Sequence, residues 1–490
     1  MIARPGAART APGRSFFVNR GSGMLPRMAR MISAPALGAA RALFLLDLAV
    51  TVLAWPVALA LLSDPPRADA WQGVLALLLY PAAYLVGLYS LGLYRRDALN
   101  EPRQALGRVP VAAALAALGA SAVLALLTEG SSVALFAVAT IGLGVAGCIA
   151  RLALAALRRL GLFRRRLLIV GAGQRAWDLV WLLRREARTL AFDIALLHEP
   201  AMGEFDARLA EDPALRIFPA GTDFLDAARA FGADQIIVAS DERRGLPMRA
   251  LLACRTAGFP VSEYLRSLER EIGRIDIKRL ELGFLVYDEG FGASLLDHAL
   301  KRALDIVASL LLLALSSPFL IAATLAVKLQ DGGPALYRQA RVTRDGRVFR
   351  IMKLRTMRVD AERFGATWAA ERDPRITRVG HFLRRTRLDE LPQLFNVLRG
   401  DMSIVGPRPE RPEFTQELAR KLPLYEERHR MRAGLTGWAQ VNYPYGASLD
   451  DARSKLSYDL YYVKNFGVLF DLLILMQTLR VVLFPGNAVR

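Results

Sequence analysis

Residues 306–327 read IVASLLLLALSSPFLIAATLAV, with Lys301-Arg302 shortly before them and Lys328 directly after. By length the run could cross about 30 Å of hydrocarbon as a helix. Its middle, however, carries Ser316-Ser317-Pro318. Proline removes a backbone donor and crowds the preceding turn, and a serine hydroxyl can satisfy the carbonyl that is freed. Two readings stand open: a kinked span that crosses the membrane, or a helix broken at Ser317-Pro318 that dips into one leaflet and returns. The residues behind the run weigh on the choice. Arg338, Arg341, Arg344, Arg347, Arg350, Lys353 and Arg355 follow closely, and a full crossing would export them against the positive-inside bias. The run is therefore read as a re-entrant helix.

Outward toward the N-terminus, further apolar blocks occupy 42–62, 71–93, 109–128 and 132–150, each about as long as a membrane helix. Pro56 and Pro81 are tolerable there, and Asp47 sits either near the interface or hydrogen-bonded within the bundle. Arg27, Arg30 and Arg41 precede the first block, and Arg95, Arg96, Arg103 and Arg108 fill the second loop. Arg151, Arg158, Arg159, Arg164, Arg165 and Arg166 follow the fourth block, whereas the intervening loops offer little beyond Arg67 and Glu129. This alternation predicts four transmembrane helices over 41–150, with the N-terminus and everything after residue 150 in the cytoplasm. Residues 1–40, with Arg4, Arg9, Arg14 and Arg20, read as a basic, disordered tail, because the apolar run behind them is too long for a signal peptide. The spans carry too little polar lining for transport and are read as an anchor.

Composition agrees. Of 490 residues, 53% are hydrophobic, and the formal charge is +19. The arginines lie beside apolar blocks and through the C-terminal part, without a recognisable nucleic-acid module, so the charge predicts contact with an anionic lipid bilayer and phosphorylated substrates and no nucleic acid. Cys148 and Cys254 form no disulfide framework, and His198, His298, His381 and His429 are too scattered for a histidine-rich metal cluster.

Between these parts, 167–170 is a short apolar strand running into Gly171-Ala172-Gly173-Gln174-Arg175-Ala176 and a helical stretch from Trp177. Apolar strands recur at 192–197 and 235–239. Strand, glycine-rich turn, helix, strand is the dinucleotide-binding arrangement and predicts a Rossmann-like α/β domain over 165–295. Binding at Gly171 and Gly173 is doubtful. Glu199 is the candidate ribose ligand, but His198-Glu199-Pro200 is an irregular match, and no Tyr-x-x-x-Lys pair occurs in the domain.

The densest text follows residue 330. It runs through Gly332-Gly333-Pro334-Ala335-Leu336-Tyr337-Arg338-Gln339, Lys353-Leu354-Arg355-Thr356-Met357 and Asp373-Pro374-Arg375-Ile376-Thr377-Arg378. Then come Leu383-Arg384-Arg385-Thr386, Leu388-Asp389-Glu390-Leu391-Pro392-Gln393, Val405-Gly406-Pro407-Arg408-Pro409-Glu410 and Gly437-Trp438-Ala439-Gln440-Val441-Asn442. In motif after motif this resembles the polyprenyl-phosphate hexose-1-phosphate transferases, the monotopic phosphoglycosyl transferases also called bacterial sugar transferases. The whole chain resembles their large, exopolysaccharide-initiating form. The resemblance implies a membrane α-helical anchor, a Rossmann-like middle domain and a mainly α-helical catalytic domain over 300–490, with the re-entrant helix at 306–327. It further implies a bacterial inner-membrane, multi-pass protein with its catalytic domain on the cytoplasmic face, a homodimer, and the substrates UDP-sugar and polyprenyl phosphate. Asp389 would attack the UDP-sugar, expel UMP and carry the phosphosugar, and Mg²⁺ would be required, associated with Glu390 and Asp389. Asp459 falls in a further family block, with Tyr461-Tyr462-Val463-Lys464. Thr343 and Leu354 depart from the glycine and phenylalanine usual in the family, and read as loop or packing variation.

Elementary chemistry supports these roles. An Asp-Glu pair alone reads as a surface cap, but a carboxylate can form an acyl phosphate, and a hard cation relieves repulsion between neighbours. Pro392 suits a first helical turn, placing Asp389-Glu390 at or just before a helix start. Arg375, Arg384 and Arg408, with Lys353 and Arg355, are candidate phosphate clamps. The stretch 466–484 is interrupted by Asp471, Gln477 and Arg480 and is expected to lie against membrane or protein instead of spanning. Two other functions remain open: a non-catalytic, nucleotide-sensing membrane scaffold, and a glycosyl transferase that leaves UDP.

Overall fold

The computed structural model describes residues 38–60, 70–127, 133–160, 163–187, 191–242, 245–280, 290–292, 294–359, 361, 373–443, 446 and 448–483. The basic tail falls outside them except for its last residues, as does 281–289.

The first apolar blocks form helices α1 (Gly38–Ala60), α2 (Ala70–Ser90), α3 (Pro102–Leu127) and α4 (Val133–Arg159). Among the described residues, Pro102–Leu127, Phe136–Arg159 and Leu295–Asp331 are long and apolar enough to cross a membrane. The helices pack through small side chains: α3 buries Ala105, Ala112, Ala113, Ala116, Ala117 and Ala120 along one face, which lets neighbouring backbones approach. Tyr84 donates to the Leu143 carbonyl at 2.8 Å. Asp47 takes the second of its two expected forms, buried in the bundle and accepting from Arg151 and Tyr94.

Beyond α4 the period changes. Strands β1 (Arg164–Val170), β2 (Ala191–Leu197), β3 (Leu215–Phe218), β4 (Gln235–Val238) and β5 (Val261–Glu263) form one parallel sheet in the order β3-β2-β1-β4-β5. Alternate residues of β1 face opposite cores. Leu167 and Ile169 join one, Leu168 and Val170 the other, as period-2 side chains must when both faces of a sheet are covered. Helix α5 (Gln174–Glu186) follows the glycine turn; α6 (Phe224–Phe231), α7 (Met248–Thr256) and α8 (Tyr264–Ile272) complete the layers.

The apolar run 306–327 lies in α9 (Leu295–Asp331), which opens with a Ser294–Asp297 capping box and closes at Gly332, φ 68°. Helical residues run through Pro318 within this one element. Pro318 cannot donate to the Ala314 carbonyl, and the Ser317 hydroxyl donates to it in place of the missing N–H, at 2.9 Å. The Ser316 hydroxyl donates to Leu312 O at 2.6 Å. Both ends of α9 hold the same globular unit. Near the start, Lys301 pairs with Asp471 at 2.6 Å, and Asp305 accepts from Ser403 and the Ile404 amide. Near the end, Ala323 and Val327 pack on Leu354 and Leu383, and Asp331 receives the Arg355 guanidinium. Between these anchors Leu310, Leu311, Leu315, Phe319 and Ile321 stand exposed.

The globular unit contains the β6 (Leu336–Val342)–β7 (Val348–Leu354) hairpin, α10 (Arg378–Thr386), α11 (Gln393–Arg399), β8 (Ser403–Val405), α12 (Pro412–Lys421), β9 (Gly434–Thr436), α13 (Trp438–Asn442), α14 (Leu449–Asn465) and α15 (Val468–Leu483). Helix α15 does lie against protein: Gln477 donates to Tyr89 of α2 at 3.0 Å and accepts from Arg95 at 3.3 Å. The sheet domain is fastened to the same unit by Lys464–Glu269 at 2.6 Å and by Trp438 donating to the Gly273 carbonyl at 2.7 Å.

Candidate active site

The candidate site begins with one close approach. A Cβ on Gly380 would lie 2.0 Å from the Thr356 carbonyl oxygen, so only glycine lets α10 pack directly on the end of β7. Thr377 caps α10 by accepting from the Gly380 amide at 2.9 Å. Helix α10 ends at Arg387 in the left-handed region, φ 61°, which turns the chain sharply into the short 3-10 turn Leu388–Glu390. The expected helix start appears directly after, with Pro392 as the residue just before α11. Asn396 of α11 locks β7 in place, donating to Arg350 O at 2.9 Å and accepting from the Met352 amide at 3.0 Å.

Register then decides what meets the turn. Lys353 reaches Glu390 Oε1 at 3.3 Å, Arg387 at 3.5 Å and Arg408 at 3.8 Å. Burial alone would raise the Glu390 pKa, but Lys353, Arg408 and Arg387 outweigh it and bring the carboxyl down to about 2. Asp389 behaves oppositely. It is 7% exposed, and its Oδ1 has no hydrogen-bond partner. Burial first, then the Glu390 charge, push it up to about 6, against the pull of Lys353, Arg384 and Arg387. Burial also lowers the Lys353 ammonium. Two adjacent carboxyls thus have different characters: the surrounding cations favour the Glu390 anion, while Asp389 is incompletely satisfied and held above the usual carboxylate range. Such separation of neighbouring pKa values is what acid–base and nucleophilic sites require.

Of the residues singled out in the sequence, Lys353 and Arg408 converge directly on the pair. Arg384 stands behind, donating from Nε to Thr356 Oγ1 at 2.9 Å. Arg375 and Arg355 are engaged elsewhere. Arg375 grips Asp373 at 2.6 Å, and Arg355 ties Asp331 and the Pro334 carbonyl to the base of the hairpin. Asp459 does not touch the pair; it is buried on α14 against Arg428 at 2.8 Å. Arg387 and Arg428 carried no sequence signal of their own, since one acts through a left-handed corner and the other through a tertiary contact. Thr343 proves to be packing chemistry, its buried hydroxyl donating to Asp401 O at 2.8 Å and accepting from the Ala433 amide at 3.1 Å.

The glycine turn of the sheet domain offers a second set of backbone donors. Those at the start of α5 are already used. Asp241 accepts from the Gln174 amide at 2.6 Å and from the Arg175 amide at 3.1 Å, and a Cβ on Gly173 would lie 2.0 Å from its Oδ2. Glu199, the candidate ribose ligand, accepts from the Gly221 amide at 2.7 Å.

The unit held by both ends of α9 thus carries a buried Asp389 beside a Glu390 ringed by Lys353, Arg387 and Arg408. A family model described as bacterial sugar transferase matches residues 296–485. The chain is 41% identical over 246 residues to the UDP-N-acetylgalactosamine-undecaprenyl-phosphate N-acetylgalactosaminephosphotransferase of Aeromonas hydrophila, covering 50% of this chain and 57% of that protein. It is 44% identical over 184 residues to the UDP-glucose:undecaprenyl-phosphate glucose-1-phosphate transferase of Escherichia coli K12, covering 37% of this chain and 40% of that one. The Caulobacter vibrioides protein of the same name is 43% identical over 190 residues, covering 38% of this chain and 71% of the relative. The chain belongs to the bacterial sugar transferase family. It spans about half the length of the first two of these relatives.

Proposed function

We propose that this protein transfers a sugar-1-phosphate from a UDP-sugar to polyprenyl (undecaprenyl) phosphate, releasing UMP and beginning exopolysaccharide or related glycan synthesis at the cytoplasmic face of the bacterial inner membrane. The observation that carries the reading is the unpartnered Asp389 Oδ1 beside an ionised Glu390 ringed by Lys353, Arg387 and Arg408. In its ionised form Asp389 attacks the β-phosphorus of the UDP-sugar. The bond from that phosphorus to the bridging oxygen breaks, and UMP leaves with the electron pair. An oxygen of polyprenyl phosphate then attacks the same phosphorus, the aspartyl bond breaks, and a polyprenyl-diphospho-sugar departs. Phosphoryl transfer depends on positioning and charge neutralisation, which the cations around the pair supply.

Among the described residues no group of three or more acidic, histidine or cysteine side chains could hold a metal. Two hard carboxylates, one with an unpartnered oxygen, nevertheless fit Mg²⁺, which usually takes one or two protein carboxylates and completes its shell with water and substrate phosphates. Glu390 would be its principal holder, with Asp389 beside it. Bound there, the ion would neutralise diphosphate charge.

The membrane arrangement belongs to the same proposal. With both ends of α9 docked on one globular unit and its apolar middle exposed, a re-entrant helix at 306–327 is favoured over a crossing one, and α1–α4 act as the transmembrane anchor. Cysteine labelling before residue 301 and after 328 tests this; labels on opposite sides would rule it out. The sheet domain is read as Rossmann-like on its strand order and glycine turn, serving as a spacer. Incubating membranes with undecaprenyl phosphate and a panel of UDP-sugars tests the reaction. UMP release supports it, UDP release points to a glycosyl transferase, and no nucleotide release with any sugar points to a scaffold.

A further inference from the structure

Arg408 lies between Pro407 and Pro409, neither of which has a backbone N–H. A loop of this composition must be held largely by its carbonyls, and four in succession are held. Pro407 O accepts from the Gly434 amide at 2.8 Å and Glu410 O from the Val342 amide at 3.0 Å. Pro409 O accepts from Arg341 Nη1 at 3.1 Å. The remaining one, Arg408 O, accepts from Arg428 Nη2 at 3.0 Å. Arg428 in turn is oriented by Asp459 at 2.8 Å and by the Tyr425 hydroxyl at 2.8 Å. It is 4% exposed and Asp459 is 2% exposed. Although burial pulls the other way, Tyr425, Asp459 and Glu410 hold the Arg428 guanidinium above its ordinary pKa.

We propose that Arg428, fixed by Asp459, is a positioning residue that holds the Arg408 backbone from behind, so that the Arg408 guanidinium stays aimed at the Glu390 side of the pair and the diphosphate bound there. The inference rests on the reaction proposed above for the diphosphate, though not for the geometry. A buried ion pair is an expensive way to fill a core, since apolar residues of similar volume often serve as well. An apolar side chain, however, cannot bind a carbonyl. A lysine is a single point of charge and cannot span Asp459, Tyr425 and Arg408 O together with a planar fork. The pairing also gives Asp459 a role at one remove from the chemistry.

The test is a double-mutant cycle in the purified full-length chain, using a UDP-sugar that supports nucleotide release. Arg428→Lys should lower kcat/KM about 10- to 100-fold, the scale of a small misplacement of a binding group. In an Arg408→Ala background the same change should cost less than about twofold, because coupled residues are non-additive. Asp459→Asn should follow the same pattern and serves if Arg428→Lys fails to fold. If Arg408→Ala is too slow to measure, UDP affinity supplies the same cycle. An equal loss in both backgrounds, or no loss from Arg428→Lys, overturns the positioning role. Release of UDP instead of UMP would sink the proposed reaction while the cycle still reads Arg428.

Discussion

The glycine turn at Gly171–Gly173 and the Asp389–Glu390 turn both stand where a chain reverses into a helix, and both read as phosphate chemistry in the sequence. The folded protein treats them in opposite ways. At the first, Asp241 arrives from beyond β4 and satisfies the amides of Gln174 and Arg175 with its own carboxylate. At the second, three cations gather on Glu390 while Asp389 Oδ1 remains without a partner. A turn whose donors are spent on a tethered anion has little to offer a soluble one. A buried acceptor left unsatisfied is costly to keep and marks a place where something else completes the bonding. The contrast shows that a phosphate motif identifies a backbone shape, whereas the state of its donors and acceptors decides whether the shape is available.

Substitutions on the two sides should therefore differ greatly in effect. Asp389→Asn should reduce UMP release by on the order of 10⁴ or more, as expected for a lost nucleophile, while thermal unfolding in detergent stays cooperative. Full retained activity would move the nucleophile elsewhere. Lys353→Met should cost about 10²- to 10³-fold, the scale of removing one preorganised charge-stabilising group.

The same pair predicts a pH dependence. Asp389 is held up to about 6, and in the proposed reaction its ionised form is the nucleophile. Log kcat/KM should thus fall by about one per pH unit below about pH 6 and level off above it. Lys353 lowers the Asp389 pKa, so Lys353→Met should move the acid limb to higher pH. A limb unmoved by that change would separate it from Asp389.

Ser317→Ala should be milder. It removes the hydroxyl that covers the Ala314 carbonyl, and about 1 kcal/mol of stability, typical of a hydrogen bond, should go with it as a lower thermal midpoint. Asp241→Ala should be the quietest change for catalysis. Loss of a helix cap costs about 0.5–2 kcal/mol, yet UMP release should remain within about twofold. NADH titrated onto the unaltered chain should not bind at the turn; binding that displaced Asp241 would break the contrast between the two regions.

Much of this architecture was legible in the sequence because it rests on local patterns. The apolar blocks became helices, though α3 starts at Pro102 and not near 109, since Arg103, Gln104 and Arg108 continue the helix beyond its apolar part. The strand–glycine–helix signature marked β1 and α5, while the short edge strands β3 and β5 gave no comparable signal. Pro318 and Ser317 announced a lost donor and its replacement; that the helix would continue through them depended on the hydroxyl geometry. At the candidate site, the motifs singled out Asp389, Glu390, Lys353 and Arg408, which the fold brings together, but not which of the other arginines would face the pair. Arg355 and Arg375 sit in equally basic text and are captured by Asp331 and Asp373. Asp241 and Arg428 were invisible for the same reason: each acts through a backbone group brought near only by tertiary folding.

The central claim, that Asp389 carries the phosphosugar, is tested most directly by mixing the purified full-length chain with β-³²P-labelled UDP-sugar in the absence of polyprenyl phosphate and quenching in denaturant. Protein-bound label should approach one per chain, matched by UMP, discharged on adding undecaprenyl phosphate and absent in Asp389→Asn. Label that persists in Asp389→Asn, or turnover to lipid-linked product by that variant at the unaltered rate, would contradict it.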